Sequence, residues 1–236
     1  MASKWIWIAA VLLLTGLVIF FVTPPADHQR TMQRTDLPWL VTTEPDGSSR
    51  VFDLHLGNAT LREAIAKFGN PEAVALYIRE SGTRDLETYF GTVSMGPLKA
   101  KIILNLLVDE ERLDQFEANA IKQEFSAEGH KKLLLNSEDK QSLGDARIAG
   151  ITYIPTYKGL EADFFRERFG EPAAWKVEDE ENVQWFYPDI GLTLLMSAEG
   201  REILQYRMPR DFVMPEGVES KPARTSDPGD SESGQE

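Results

Sequence analysis

The longest uninterrupted hydrophobic stretch of the chain lies at its N-terminus. After Lys4, the 18 residues from Trp5 to Val22 carry no charge. In a helix that rises about 1.5 Å per residue they span roughly 27 Å, close to the thickness of the hydrocarbon core of a bilayer. The pattern predicts a transmembrane anchor over residues 1–23, with aromatic side chains at the membrane interface. Residues assigned to this predicted transmembrane helix include Trp5, Trp7, Leu12, Gly16, Phe20 and Val22.

A cleaved signal peptide and a buried core helix are the alternatives to this anchor. A signal peptide has an apolar core of about 7–15 residues followed by small residues at the cleavage site. Here the stretch is longer and ends in the bulky residues 19–22, which favours an uncleaved anchor. Lys4 and the N-terminal amine favour a cytoplasmic N-terminus, although Arg30 and Arg34 soon after the anchor oppose it. We therefore expect a single-pass membrane protein with a cytoplasmic N-terminus and an exported C-terminal domain.

Hydrophobic and polar positions alternate or recur at helical spacing in the following body. Short apolar runs flank the turn-forming residues 45–48, which predicts a hairpin. Thr60 and Glu63 have the spacing of a capping box, and Leu61, Ala64, Ile65 and Phe68 follow on one helical face. Residues 109–125 are interpreted as a second helix from similar spacing.

A short motif occurs twice in this body. Residues 64–73 and residues 165–174 both end a predicted helix with Phe-Gly-x-Pro-x-Ala, at a constant offset of 101 residues. Each copy is followed by an aromatic cluster and then by an apolar, strand-like run. The shared order indicates a duplicated structural unit. The matched residues are Phe68, Gly69 and Pro71, and Phe169, Gly170 and Pro172.

These patterns predict an α+β fold, in which an N-terminal transmembrane helix precedes two related helix-plus-antiparallel-sheet units. The polar segment before the body is interpreted as a stalk, and the acidic C-terminal segment as a disordered tail. The expected divisions are 1–23 for the cytoplasmic tip and anchor, 24–38 for the stalk, 39–126 for the first α+β unit, 127–150 for a connecting segment, 151–215 for the second unit and 216–236 for the tail.

Composition narrows the function classes. The 236 residues carry 25 Lys and Arg against 38 Asp and Glu, a net charge of −13, which argues against nucleic-acid binding. The chain has no cysteine and only three histidines, His28, His55 and His130. It therefore lacks disulfides, thiolate ligands and cysteine nucleophiles. We expect no metal, no cofactor and no nucleic-acid partner.

The repeated motif resembles the SmpA/OmlA-type unit of bacterial outer-membrane assembly lipoproteins. A tandem of two such units resembles the beta-lactamase inhibitory protein architecture, and the chain is also similar to uncharacterised bacterial membrane proteins near residues 46–57. The resemblance implies an envelope protein that binds a protein or peptide and catalyses nothing. The chain has no lipid-bearing cysteine, so the role of those lipoproteins in outer-membrane assembly does not carry over. With the transmembrane anchor in place of a lipid, the resemblance implies a single-pass protein of the inner (cytoplasmic) membrane with a periplasmic C-terminal domain.

Catalytic chemistry has few candidate residues. Strand alternation would place His55 beside Asp53, and such a pair could orient a base. The acidic runs 109–111 and 178–181 lack the alternating spacing of a calcium loop, and no phosphate-binding glycine motif is present. A membrane-tethered hydrolase that uses a carboxylate pair or the Asp53/His55 strand face is therefore the alternative to a binding protein.

Four aromatic residues form a candidate partner surface. The three consecutive aromatics at 185–187 cannot all point inward, because side chains alternate along a strand. One strand face should lie in the core, and the other could be an aromatic anchor for a partner, although packing beneath a loop is the alternative. The residues are Trp175, Trp185, Phe186 and Tyr187. The function expected from the sequence is non-catalytic binding or scaffolding of an envelope protein or peptide, with a structural spacer in a membrane complex as a third possibility.

Overall fold

The computed structural model describes residues 36–126 and 129–220. Within these ranges no helix is long and apolar enough to cross a bilayer. The predicted anchor, with Trp5, Trp7, Leu12, Gly16, Phe20 and Val22, lies outside the described residues, as do His28 and most of the predicted stalk.

Strands dominate the described part of the chain. Its four α-helices are short: α1 (Leu61–Phe68), α2 (Glu110–Ala118), α3 (Ser137–Gln141) and α4 (Ala162–Phe169). The strands are β1 (Thr42–Thr43), β2 (Ser49–Val51), β3 (Leu54–His55), β4 (Ala73–Ile78), β5 (Arg84–Met95), β6 (Leu98–Leu107), β7 (Lys122–Phe125), β8 (Lys131–Leu134), β9 (Arg147–Pro155), β10 (Ala174–Val177), β11 (Asn182–Tyr187), β12 (Leu192–Ser197), β13 (Ile203–Arg207) and β14 (Glu219–Ser220).

Most of these strands belong to one antiparallel sheet. Its 11 strands follow the order β14-β10-β11-β12-β13-β9-β6-β5-β4-β8-β7, and β1, β2 and β3 form a small separate sheet. Strand β9 lies between β6 and β13, pairing Ile103 with Thr152 on one side and Thr152 with Gln205 on the other. The N-terminal and C-terminal strands are therefore hydrogen-bonded into one continuous structure.

The predicted α+β class with two helix-plus-sheet units is therefore wrong. The described fold is mostly β, because helices of at most 9 residues punctuate a sheet that runs through both predicted units. The segment 127–150, expected to connect two units, contributes β8, α3 and the start of the central strand β9. Helical spacing of apolar residues was easy to recognise, but the pairing of β6 with β9 joins positions about 50 residues apart and leaves no local pattern.

The hydrophobic core covers one face of the large sheet. Helices α1 and α4 pack there through aromatic contacts: the rings of Phe68 and Phe90 lie 5.7 Å apart, as do those of Phe169 and Tyr187. The turn after β2 adds Phe52, which stacks on Tyr153 at 5.5 Å. The helices and the small sheet therefore share the core side of the large sheet.

The repeated motif has the same backbone geometry in both copies. Helix α1 begins with the predicted capping box of Thr60 and Glu63, and it ends at Gly69, with φ 90° and ψ −171°. Helix α4 ends at Gly170, with φ 80° and ψ −169°. This region of backbone conformation is accessible almost only to glycine, which explains why both Phe-Gly-x-Pro motifs carry one. After each motif the chain enters a strand of the large sheet, β4 or β10.

Some predicted boundaries are wrong. The helix expected over residues 109–125 ends at Ala118, and Lys122–Phe125 follow it as strand β7. The stalk expected over 24–38 ends inside the fold, because Tyr206 donates its hydroxyl to the carbonyl of Pro38 at 2.6 Å. Within the expected tail, Glu219–Ser220 form β14, which pairs with β10. Residues 221–236 lie outside the described part.

Candidate functional site

The face of the large sheet opposite the core carries the candidate site, which we call the open face. Alternate residues of the central strands separate the two sides: in β6, Ala100, Ile102 and Leu104 are buried in the core, whereas Lys101 and Ile103 lie on the open face. None of the four described helices packs its buried residues on this side, because those residues belong to the single core cluster. The part of this face that no other segment covers is accessible to a partner.

One register row crosses nine strands of the open face. Cross-strand pairing links each member of the row to the next, so the side chains lie side by side over roughly 38 Å at about 4.8 Å per strand. Small, hydroxyl, amide and aromatic side chains alternate along it. The row is Ala73, Tyr89, Ile103, Thr152, Gln205, Thr193, Phe186, Ala174 and Ser220.

A depression of about 330 Å³ lies beside the middle of this row. Its floor includes Asn105 and Gly150, which are register partners on β6 and β9. Gly150 has no room for a side chain, since a Cβ there would lie 2.8 Å from the carbonyl oxygen of Tyr206. Because Gly150 has no side chain, the surface is recessed there. The exposed polar residues Gln205 and Arg207 of β13 border this depression.

Charges of both signs surround the depression. The Arg79 guanidinium contacts the Asp85 carboxylate at 2.7 Å, and Arg207 and Asp211 line the other side. A smaller apolar hollow of about 150 Å³ adjoins it, lined by Tyr77, Tyr89 and Ile103 among others. The Lys132 ammonium lies 6.0 Å from the ring centre of Tyr77. This mixture of aromatic, aliphatic and paired charged groups suits a protein surface better than a ligand of one charge sign.

The predicted aromatic partner surface is wrong for three of its four residues. Trp185, Phe186 and Tyr187 are all buried. Trp185 and Tyr187 belong to the core side, where the Arg166 guanidinium lies 4.7 Å from the Trp185 ring. Phe186 points to the open face, but Phe212 packs on it with a ring distance of 6.5 Å. A segment that follows β13 therefore covers it, and strand alternation could not indicate that cover.

Trp175 and Tyr187 also serve structural roles. The indole N–H of Trp175, which is half-buried, donates to the Glu219 carboxylate at 3.2 Å and so fixes β14 to β10. The Tyr187 hydroxyl donates to the carbonyl of Gly170 at 3.2 Å. Burial, aided by the nearby Glu171 carboxylate, raises the pKa of Tyr187 to about 12. Tyr187 therefore links the second Phe-Gly-x-Pro motif to the sheet as a neutral phenol.

The predicted Asp53/His55 pair does not form. Phe52 and Asp53 both have positive φ, 52° and 63°, so a tight turn separates β2 from β3 and interrupts the alternation. Asp53 instead approaches Arg50 at 3.8 Å. His55 contacts the hydroxyl of Ser48 through Nε2 at 2.5 Å, and Ser48 donates that hydroxyl to Asp46 at 2.5 Å. The residue Ser48 is fully buried, so this cluster ties the hairpin together and presents no accessible nucleophile.

The acidic runs have local structural uses. The Asp109 carboxylate accepts from the backbone N–H of Arg112 and caps α2. The Asp179 carboxylate accepts from the side-chain amide of Asn182 at 2.9 Å and from the backbone N–H groups of Glu181 and Asn182, each at 2.8 Å. These bonds, the one from the Asn182 side chain most of all, lower the pKa of Asp179. Within residues 36–126 and 129–220, no group of three acidic or histidine side chains has the geometry of a metal site.

Sequence reasoning missed the open face. The alternation of Lys99, Lys101 and Asn105 with buried residues along β6 indicates that one side of that strand is accessible. It does not indicate that β9 and β13 continue the same surface, because those pairings are non-local, whereas β5 joins β6 through the short turn after Met95.

Comparison with family models, with curated proteins and with solved structures finds no match to this chain. The resemblance to SmpA/OmlA-type units therefore stays a prediction from the two short motifs.

Proposed function

We propose that the protein is a non-catalytic binding or scaffolding protein that engages a protein or peptide partner through the open face. The observation that carries this proposal is the one-sided arrangement of the fold. The helices, the small sheet and the aromatic core lie on one side of the large sheet. The other side carries a row of residues that are half-buried or exposed on the six strands from Ala73 to Thr193, whereas Phe186 and Ala174 farther along the row are buried.

The size and composition of the open face fit a protein partner. Stable protein interfaces bury about 800 Å² on each side. The accessible part of the row, from Ala73 to Thr193, is roughly 24 Å long at about 4.8 Å per strand, and it can supply that area when the flanking rows are included. Tyr77 and Tyr89 provide aromatic contacts of the kind enriched in interfaces, and Arg79 and Arg207 provide cations. The shallow depression at Gly150 would accept a side chain from the partner.

The location of the protein is part of the same proposal. The uncharged stretch after Lys4 supports a single transmembrane anchor in the inner membrane, with the sheet domain in the periplasm. The resemblance to SmpA/OmlA-type units supports an envelope protein or peptide as the partner. No cofactor or nucleic acid is needed for this role.

Photo-crosslinking in intact cells tests the proposal. A photoreactive amino acid replaces Leu107 or Gln205 on the open face, and in matched controls it replaces Lys67 or Glu167; all four side chains are exposed, the last two on α1 and α4. We expect discrete crosslinks to one partner from the open-face positions and none from the helix positions. Equal crosslinking from both sets, or none from Leu107 and Gln205, would contradict binding by this face.

A substitution on the same face provides the second part of the test. Thr152→Arg inserts a long charged side chain at the centre of the nine-strand row, and Ala66→Arg does the same on the exposed side of α1. We expect the first variant to lose the Gln205 crosslink and the second to retain it. Circular dichroism confirms that both variants are folded.

A further inference from the structure

Among the described residues, no strand pairs with the outer edge of β7 at one end of the large sheet. Strand β7 pairs with β8 on one side, and the sheet order ends there. The backbone N–H of Ser126 donates to the carbonyl of His130 at 2.8 Å. Since hydrogen-bonded positions alternate along an antiparallel strand, Lys122 and Glu124 direct their backbone groups toward β8. Gln123 and Phe125 then direct their N–H and C=O groups away from the sheet, where another strand could form hydrogen bonds with them.

Large apolar side chains accompany this edge. Phe125 is 70% exposed and Ile121, immediately before the strand, is 66% exposed. An exposed strand edge with apolar side chains promotes pairing with another chain. Charged residues usually prevent such pairing, and here Lys122 and Glu124 supply one charge of each sign.

We propose that a second copy of this chain pairs with this edge, β7 against β7, around a two-fold axis through Gln123. In that antiparallel register Lys122 lies opposite Glu124 of the partner subunit, and Glu124 opposite the partner's Lys122. Gln123 lies opposite its own copy, so its N–H donates to the C=O of the partner's Gln123 and its C=O accepts from the N–H of the partner's Gln123. Each copy's Ile121 comes to the same end of the interface as the partner's Phe125. The strand sequence is therefore self-complementary.

The charges select this register over its neighbours. A shift by two residues places Lys122 opposite the partner's Lys122, or Glu124 opposite the partner's Glu124, and like charges directly opposite each other destabilise a strand pair. In the single chain the Lys122 ammonium already contacts Glu124 at 2.6 Å, and Lys132 approaches the same carboxylate at 3.8 Å. These cations lower the pKa of Glu124, with Lys122 as the main cause, so the carboxylate is charged when the partner arrives.

The absence of cysteine from the sequence allows a register-specific test. In the proposed dimer the two Gln123 Cα atoms form a hydrogen-bonded pair about 5.5 Å apart, which a disulfide can bridge. Two copies of residue 122, or two of residue 124, lie about 8 Å apart by strand geometry, beyond that reach. Each full-length variant Gln123→Cys, Lys122→Cys and Glu124→Cys is purified, oxidised mildly and analysed on a non-reducing gel.

We expect Gln123→Cys to form a disulfide dimer, and Lys122→Cys and Glu124→Cys to remain mostly monomeric when oxidised alone. A mixture of the last two variants should form a mixed dimer, because residue 122 of one copy faces residue 124 of the other. Equal dimer yields from all three single variants would indicate random collision, and a monomeric Gln123→Cys protein would exclude the register. Either result overturns the proposal.

Charge reversal tests the same interface without a covalent trap. Lys122→Glu creates two like-charge pairs, and we expect it to weaken self-association in sedimentation velocity about tenfold. Adding Glu124→Lys restores opposite charges across the axis, so Lys122→Glu/Glu124→Lys should associate like the natural protein. If the double variant stays as weak as the single one, the charges do not pair across a two-fold axis at Gln123.

Discussion

Ser48 illustrates how a buried hydroxyl can stabilise a turn whose residues suggest catalysis. Its hydroxyl donates to Asp46, so it must accept from Nε2 of His55, and Nδ1 of His55 is left to accept from Asn58 at 3.2 Å. Replacement by Ala removes both bonds, and we expect Ser48→Ala to lower the free energy of unfolding by about 1–3 kcal/mol. Urea denaturation measures this loss. The exposed Ser94 provides the control, because Ser94→Ala should change stability by less than about 0.5 kcal/mol.

The same cluster has a pH signature. The hydrogen bonds from the Ser48 side chain and backbone lower the pKa of Asp46. A lowered carboxyl pKa stabilises the fold above the ordinary value of about 3.9, and this stabilisation is lost as the pH falls through the lower folded-state pKa. The Ser48→Ala variant should therefore show a weaker loss of stability below about pH 4 than the natural protein. An unchanged acid profile would contradict the role given to Ser48.

Glu202 makes the opposite contribution. The residue is almost fully buried, and its Oε2 has no hydrogen-bond partner among the described residues. Burial raises its pKa, and a bond from its own backbone only partly offsets that rise. A raised carboxyl pKa means that the fold loses stability as the pH rises above the ordinary value of about 4.3. We expect Glu202→Gln to be more stable than the natural protein by about 1 kcal/mol at pH 7 and equal to it below about pH 4.

The matched control for Glu202 is its exposed neighbour Glu199. Glu199→Gln should leave thermal unfolding unchanged at both pH values. A Glu202→Gln protein that is less stable at pH 7 would show that the carboxylate has a stabilising partner after all.

At the scale of elements, the glycines that end α1 and α4 are the sharpest test of the repeated motif. Gly69 and Gly170 share a backbone conformation that other residues rarely adopt, and nothing lies within 4 Å of a Cβ added at either site. An alanine at either position would therefore meet no atom but would strain the backbone. We expect Gly69→Ala and Gly170→Ala each to lower the free energy of unfolding by about 1–3 kcal/mol. Gly144, whose φ is ordinary, is the control, since a Cβ there meets only the movable end of Arg62. Urea denaturation measures the loss in the free energy of unfolding for each variant. If Gly69→Ala and Gly170→Ala lose no more than Gly144→Ala, backbone strain is not the reason for the glycines of the motif.

Sequence patterns within a few residues predicted a turn and a helix start correctly, but they did not predict where the next helix ends and a strand begins. The hairpin around residues 45–48 is confirmed by the pairing of Thr43 with Ser49, and the capping box of α1 is confirmed as well. Both depend on residues within about seven positions of one another. The helix expected over residues 109–125 is wrong in its second part, because hydrogen bonds to β8 hold residues 122–125 as a strand. Apolar spacing alone does not distinguish a short helix from a helix followed by an edge strand.

At the scale of the whole molecule, the large sheet could not be predicted from the chain. The open face depends on β9 lying between β6 and β13, and its lowest point depends on a close contact between Gly150 and Tyr206. Neither feature has a local signature, since the paired residues are far apart in sequence. The duplicated motif suggested two separate units for the same reason: similarity of elements along the chain says nothing about how their strands pair.

Continuous pairing across β9 predicts a single cooperative unfolding transition. The three described tryptophans, Trp39, Trp175 and Trp185, report on the C-terminal half, since Trp39 packs on Phe164 at 5.6 Å and the other two lie on β10 and β11. With Trp5 and Trp7 replaced by Phe in the full chain, fluorescence follows this half, whereas circular dichroism follows the whole sheet. We expect the two urea transitions to coincide, because neither half can lose its strands without exposing the other at β9.

Gly150→Ala tests the same coupling at its tightest point. A Cβ at this position would lie 2.8 Å from the carbonyl oxygen of Tyr206 and would push β9 away from β13. We expect a loss of about 1–3 kcal/mol in the free energy of unfolding, with the fluorescence and circular dichroism midpoints moving together. If the two halves unfolded independently, the fluorescence and circular dichroism transitions would have separate midpoints, and Gly150→Ala would shift only one of them. That result would contradict a single cooperative sheet.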